Sequence, residues 1–343
     1  MQNESSACRR TSIGGQALIE GIMMRGPKKT SVCCRLPDGS ISTDIIEDKK
    51  IRDKVKILGW PLIRGIVNLI ESLKLGYKAL MISADKSMSE EMGKNDGKDG
   101  KDGENKGEVS SAFVSVLTVI AAIIGVAIAV VLFMYLPSFL FDLINEHTNL
   151  ALTGFKTVFE GVLKIGIFVG YIALITMMKD IKRMFMYHGA EHKTIFCYEH
   201  GEELTVENVR KYRRFHPRCG TSFLILMLLV GIIVSSVLGL LFDELLMPRM
   251  RIFWVIIKIL LVPLICGFGY ELIKICGKYD NRLTRIISAP GMWMQRLTTK
   301  EPDDSMIEVA IQALKEVLPG DNSDMIEIAG HGRLKTNDLA ANS

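Results

Sequence analysis

Four long apolar runs, at 113–141, 158–178, 221–242 and 252–275, dominate the second half of the chain. The first is free of charge until Asp142. The second carries only Glu160 and Lys164, the third none, and the fourth Lys258, Glu271 and Lys274. A bilayer core of ~30 Å is crossed by about 20 helical residues, so each run is long enough to span it. Ahead of them, 30–36 and 40–46 are β-compatible stretches around Pro37-Asp38-Gly39, a turn sequence. The 61–83 segment reads as a helix whose polar residues Arg64, Asn68, Glu71, Lys74 and Lys78 recur at three- and four-residue steps. That stripe suits a helix on the membrane surface with its polar side in water, or one that turns Arg64 and Glu71 toward a cytoplasmic site. The 86–108 stretch repeats Asp, Gly and Lys with little to bury. Near the end, Asp303 or Asp304 can cap a helix to about Leu318 with Ile307, Ile311 and Leu314 on one face.

The expected fold is therefore mainly α: a polytopic helical membrane protein with about four transmembrane helices and a small N-terminal cytoplasmic β-rich unit. Its divisions are 1–55 (β-rich unit), 56–85 (amphipathic or interfacial helix), 86–110 (flexible linker), 111–300 (membrane domain), 301–319 (C-terminal helix) and 320–343 (disordered tail). Within the membrane domain, 179–220 forms a cytoplasmic loop.

Composition agrees: 48% of the 343 residues are hydrophobic and the mean hydropathy is +0.25. The opening residues are polar, unlike a secretory signal. Lysine and arginine crowd the 179–220 loop and follow the fourth run, whereas the 142–157 loop holds Lys156 alone. By the positive-inside rule both termini and the middle loop are cytoplasmic in a multi-pass cell-membrane protein. The net charge of +4 reflects that bias and does not point to nucleic acid. The seven cysteines have no framework spacing and read as thiols in a reducing compartment. Cys33 and Cys34 would face opposite sides of a strand.

The candidate chemistry is His188-Gly189-Ala190-Glu191-His192. On a helix, i and i+4 share a face with i+3 beside them, so both imidazoles can hold one metal with Glu191 at its open side. This is the inverted zincin pattern H-x-x-E-H. Of the six histidines, four lie between His188 and His216. If the second run's helix continues past Met178, Asp180, Met184, His188 and Glu191/His192 form one stripe at the cytoplasmic surface. His216-Pro217-Arg218-Cys219 precedes the third run, and Glu271 sits near the cytoplasmic end of the fourth, where an acid usually faces a partner or cavity. His216 is the expected third ligand, with Cys219 or Glu271 as alternatives. A structural cap for His216 and Cys219, and a salt bridge for Glu271, compete with ligation. His200 and His331 read as surface residues, and His147 falls on the opposite side of the membrane.

The expected function is a membrane-embedded hydrolase acting on a membrane protein, peptide or lipid at the cytoplasmic face of the bilayer. It would use a divalent metal, Zn2+ first, with Glu191 taking the proton of a water whose pKa the metal lowers to about 7. A membrane iron oxidase or hydroxylase, and a non-enzymatic adaptor or transporter with a structural metal site, are the rivals. Lys258 and Pro263 inside the fourth run suit a transporter. The glycines of 14–27 lack the Gly-Lys-Ser/Thr of a phosphate loop, which argues against a nucleotide.

Four stretches (14–27, 187–194, 216–223 and 297–304) resemble, in order, the signature blocks of the YqhQ family of bacterial membrane proteins. The resemblance implies a membrane protein with a metal-dependent activity, and leaves the reaction open.

Overall fold

The computed structural model describes residues 9–47, 60, 63–93, 111–148, 156–242, 251–279, 281–320 and 324–327. The chain divides into two units: Met1–Lys94 with Ile172–Val230 and Pro263–Ser343, and Asn95–Tyr171 with Gly231–Val262.

In the first unit, β2 (Gly14–Leu18), β3 (Gly21–Arg25), β4 (Lys29–Arg35) and β5 (Ile41–Glu47) form an antiparallel meander in sequence order. The glycine-rich 14–27 stretch is thus the first hairpin. Its two-residue turn places Glu20 at φ +49°, and the Arg183 guanidinium holds that carboxylate at 2.5 and 2.6 Å.

Both faces of the sheet are covered, so β3 and β4 are buried along most of their length instead of alternating. On one face Ile22, Met24 and Cys33 pack with Tyr187 and Phe196 of α5 (Lys179–Glu199). Val209 of the short α6 (Val206–Arg210), and Ile307, Ala310 and Leu314 of α10 (Asp304–Val317), complete this core. On the other face Leu18, Met23, Val32 and Cys34 meet Ala79 of α1 (Ile63–Gly93). Cys33 and Cys34 therefore enter different cores, as the strand period requires. Asp303 caps α10 by accepting from the Met306 N–H at 3.0 Å. β1 (Arg9–Thr11) pairs antiparallel with β6 (Met325–Glu327), and the Thr11 hydroxyl donates to Asp324 at 2.6 Å.

Two boundaries differ from expectation. α1 runs to Gly93, because 86–93 carries Met and Glu among its serines and continues the helix; the rest of the expected linker lies outside the described residues. The expected tail from Gly320 includes β6, paired with the N-terminal strand; 328–343 and His331 lie outside the described residues.

In the second unit, α2 (Ser111–Val130) passes through a π-helical turn (Val131–Tyr135) into α3 (Leu136–His147). Pro137 stands at the start of α3. Proline has no N–H to give the preceding turn and its ring crowds that turn's carbonyl, which suits the wider π-helical turn before it. Phe141 packs on Phe159 of α4 (Lys156–Ile175) at 5.5 Å between ring centroids. Ser138 donates to Glu160 at 2.7 Å.

Among the described residues, three helices are long and apolar enough to cross a membrane: Val119–His147, Val158–Ile175 and Ile259–Cys276, the last within α8 (Arg251–Lys278). Of the four expected, the third run forms α7 (Gly220–Phe242), with a shorter described apolar stretch at Leu224–Val234. The second run's helix does not continue through the motif. α4 ends at Ile175, and Met178, extended at φ −71° and ψ 133°, precedes the separate α5.

Candidate metal centre

α5 buries its middle, from Tyr187 to Cys197, against the sheet and α10. His188 and His192 lie one turn apart on it, with ring centroids 4.4 Å apart. Each Nδ1 faces a backbone carbonyl: Thr298 at 2.8 Å for His188, Arg214 at 2.5 Å for His192. A carbonyl only accepts, so both Nδ1 atoms carry the hydrogen, and in the neutral ring each Nε2 keeps a lone pair for a ligand. His188 Nε2 is 3.1 Å from Cys219 Sγ. One ligand atom from each of His188, His192 and Cys219 lies within 4.8 Å of the others, and all three residues are buried.

Electrostatics reinforce the grouping. Burial opposes ionisation of the Cys219 thiol, but the His188 and His192 imidazoles outweigh it and hold the thiol well below its ordinary value. For His188, burial opposes protonation while Cys219 and Glu191 favour it, with a net upward shift. Glu191 is pushed up by burial, tempered by the two histidines. Its Oε1 accepts from the Gly15 N–H at 2.9 Å, and its Oε2 is buried without a hydrogen-bond partner. Buried polar atoms are normally matched, so an unmatched carboxylate oxygen beside imidazole and thiol donors suits a water or a metal.

His216, the expected third ligand, stands outside this trio. Its Nδ1 accepts from the Arg218 N–H at 3.3 Å and its Nε2 is 3.6 Å from Glu199 Oε2. Burial lowers its pKa to about 4 despite Glu199. Glu199, the last residue of α5, also accepts from Arg218 and from the Thr11 N–H at 2.9 Å. Burial disfavours its charge, but Arg218 and then His216 prevail and bring it to about 2. This network ties β1, α5 and the 216–219 loop together.

Glu271 is elsewhere in the unit: Arg64 of α1 grips it at 2.6 and 2.5 Å. Arg64 is thereby occupied by Glu271, and Glu71 pairs with Arg25 at 3.7 Å. His200 is half-buried, its Nδ1 on the Phe196 carbonyl at 2.7 Å. His147 ends α3, its Nδ1 on the Leu143 carbonyl at 2.8 Å.

The second support comes from α9 (Arg282–Thr298) and the extended segment after it. Gln295 donates to the His216 carbonyl and accepts from the His216 N–H, both at 2.7 Å, clamping the loop that carries Cys219. The Lys300 N–H donates to the Phe185 carbonyl at 2.8 Å, and Lys193 pairs with Glu301. Gly189 makes this approach possible: a Cβ there would lie 2.1 Å from the Lys300 oxygen. Gly15 likewise admits Glu191, whose Cδ would be 2.9 Å from an added Cβ. Sequence reasoning missed both roles, although a glycine inside a helix, about 1 kcal/mol worse than alanine, signals a close approach. The carbonyls of Thr298 and Arg214 leave no side-chain signal at all.

Beside the Cys219 loop, a small cleft is lined by Pro217, Ser222, Ile225, Leu226, Ile273 and Ile287.

Comparison with known proteins covers most of the chain. The family described as "Protein of unknown function (DUF1385)" matches residues 60–320. "Uncharacterized protein YqhQ" of Bacillus subtilis (strain 168) is 33% identical over 308 residues, 89% of this chain and 92% of that relative. No solved structure matches. On the extent of both matches, the chain belongs to the DUF1385 family, with YqhQ among its relatives.

Proposed function

We propose that this chain is a membrane-embedded, metal-dependent hydrolase whose ligands are His188, His192 and Cys219 and whose acid–base group is Glu191. One observation carries the reading: two imidazoles with Nδ1 committed to carbonyls present Nε2 beside a buried thiol of lowered pKa. Two nitrogens and one sulfur with an open fourth position suit Zn2+. A bound ion of this kind supplies Lewis acidity and a nucleophile at neutral pH.

The chain's own residues do the rest. Glu191, raised by burial, accepts the proton of an attacking water. The water oxygen bonds to the substrate's acyl carbon, the scissile C–N or C–O bond breaks, and Glu191 returns the proton to the departing nitrogen or oxygen. Gly15 holds the carboxylate by one oxygen and leaves the other for this task. Three apolar helices of spanning length among the described residues support a bilayer-borne substrate, a membrane peptide or a lipid, met at the cytoplasmic face.

The test is metal analysis of the detergent-purified protein beside His188→Ala/His192→Ala and Cys219→Ser variants. About one zinc per chain, lost from the double variant, supports the site. Cobalt substitution should add a thiolate charge-transfer band that Cys219→Ser removes. A well-folded protein prepared without chelator and free of metal would refute it.

A second reading has its own observation, the 3.1 Å His188–Cys219 pair. A thiolate beside an imidazolium can attack an acyl carbon directly. It requires that Glu191→Gln stay active without metal while Cys219→Ser does not, and that a trapped acyl adduct map to Cys219.

A further inference from the structure

α9 has two faces of different character. Its inner face, with Thr284, Gly291, Met294, Gln295 and Thr298 buried, holds the metal-centre loop. Its outer face exposes Leu283 by 65%, Ile286 by 63% and Trp293 by 54%. Arg282, Arg285 and Arg296 are exposed around them, and α9 contains no acidic residue. Aliphatic side chains, one tryptophan and arginines, on a helix whose own sequence holds no acidic residue, form the pattern of a helix lying in a lipid head-group layer. There the ring sits at the interface, the arginine stems lie along apolar surface, and the guanidinium groups meet phosphates.

The chain's path favours the same partner. The candidate span Ile259–Cys276 ends two residues before α8 does, and α9 starts at Arg282. Asn281 begins α9 sharply: its side chain accepts from the Thr284 N–H at 2.9 Å, and its own N–H donates to the Thr284 hydroxyl at 3.0 Å. If α8 crosses the bilayer, the first turn of α9 cannot be far from that bilayer's surface.

We propose that the outer face of α9 docks on anionic lipid of the cytoplasmic leaflet. This rests on the membrane-spanning part of the function proposed above, not on its metal chemistry. The helix then has lipid on one side and, on the other, the Gln295 clamp and the Thr298 carbonyl that orients His188. The centre is held one helix width from the head groups, where a lipid or a membrane peptide presents its polar bond.

The test uses the full chain in nanodiscs of phosphatidylcholine with or without phosphatidylglycerol. Substituting Trp60→Phe and Trp254→Phe leaves Trp293 as the sole tryptophan. Its emission should be blue-shifted, shielded from acrylamide, and quenched by lipids brominated near the glycerol. Brominated phosphatidylglycerol should quench more than brominated phosphatidylcholine, and Arg282→Gln/Arg296→Gln should cut that excess at least twofold. In the unsubstituted protein, phosphatidylglycerol with a photoreactive group beside its phosphate should label 282–296. Acrylamide-accessible Trp293 unquenched by lipid, or labelling that avoids 282–296, would overturn the proposal. Val162→Trp, on the exposed side of α4, separates the two failures in a chain lacking the native tryptophans. Deep bromines that quench it while Trp293 stays unquenched sink the α9 proposal alone. If they leave it unquenched, the membrane reading falls and takes this one with it.

Discussion

Replacing Gly189 with alanine isolates the support of the centre from its ligands. Within α5, away from any neighbour, the change would stabilise the helix by about 1 kcal/mol. Here the new Cβ would meet the Lys300 oxygen at 2.1 Å. Carbon and oxygen in ordinary contact are separated by well over 3 Å, so the 298–302 segment must retreat by about 1 Å or more. The retreat strains two hydrogen bonds at once, Lys300 N–H to Phe185 and His188 Nδ1–H to Thr298, both 2.8 Å. Overpacking costs typically 1–3 kcal/mol and each lost bond about 1 kcal/mol. Less the helical gain, the net is a destabilisation of roughly 2–4 kcal/mol. Because His188 loses the carbonyl that fixes its tautomer, metal affinity should fall on the order of 10–100-fold. Thermal unfolding in detergent reads the first number, and competition with a chromophoric chelator reads the second. Gly166→Ala, where an added Cβ meets nothing within 4 Å, serves as control. A Gly189→Ala protein as stable as the parent, with unchanged metal affinity, would refute this account of how the 297–304 block supports the motif.

Gly15→Ala should displace Glu191 while sparing the ligands, so turnover should drop at least tenfold with metal content unchanged; a loss of metal would contradict the assigned division of labour. Glu199→Gln leaves Arg218 facing a neutral partner and should destabilise the fold by about 3 kcal/mol. The Glu199 carboxyl is held at about 2, so its contribution is complete above the unfolded value near 4.5 and fades as pH falls toward 2. In acid titration of stability the variant should lack this component, and identical acid profiles would count against it. Glu271→Gln and His216→Ala should each retain about one metal per chain by elemental analysis, since Glu271 is held by Arg64 and His216 lies outside the His188–His192–Cys219 group.

Helix-period spacing made the His188–Glu191–His192 face legible, because the geometry of one turn depends on nothing distant. The two strands flanking Pro37-Asp38-Gly39 and the Asp303 cap were legible for the same reason: turn and cap chemistry is local. Glu271 stayed open between ligation and a salt bridge, because an acid in an apolar run announces only that it needs a partner. Which partner, Arg64 on a helix 207 positions away in sequence, is not a local property. Spacing put His216 ahead of Cys219 as the third ligand. Packing reversed that order: it brings Cys219 Sγ to 3.1 Å from His188 Nε2 and leaves His216 Nε2 facing Glu199 at 3.6 Å.

By itself, then, the sequence determined the apolar helices, the hairpin signals and the pair of histidines with their glutamate. These follow from period and composition within a few turns of chain. Tertiary structure alone decided that the 14–27 hairpin donates an N–H to Glu191 and that the 297–304 segment seats against Gly189. It also decided that Cys219, and not His216, stands with His188 and His192. Each depends on a contact between segments far apart in sequence, and spacing along the chain does not say which distant segment will meet which.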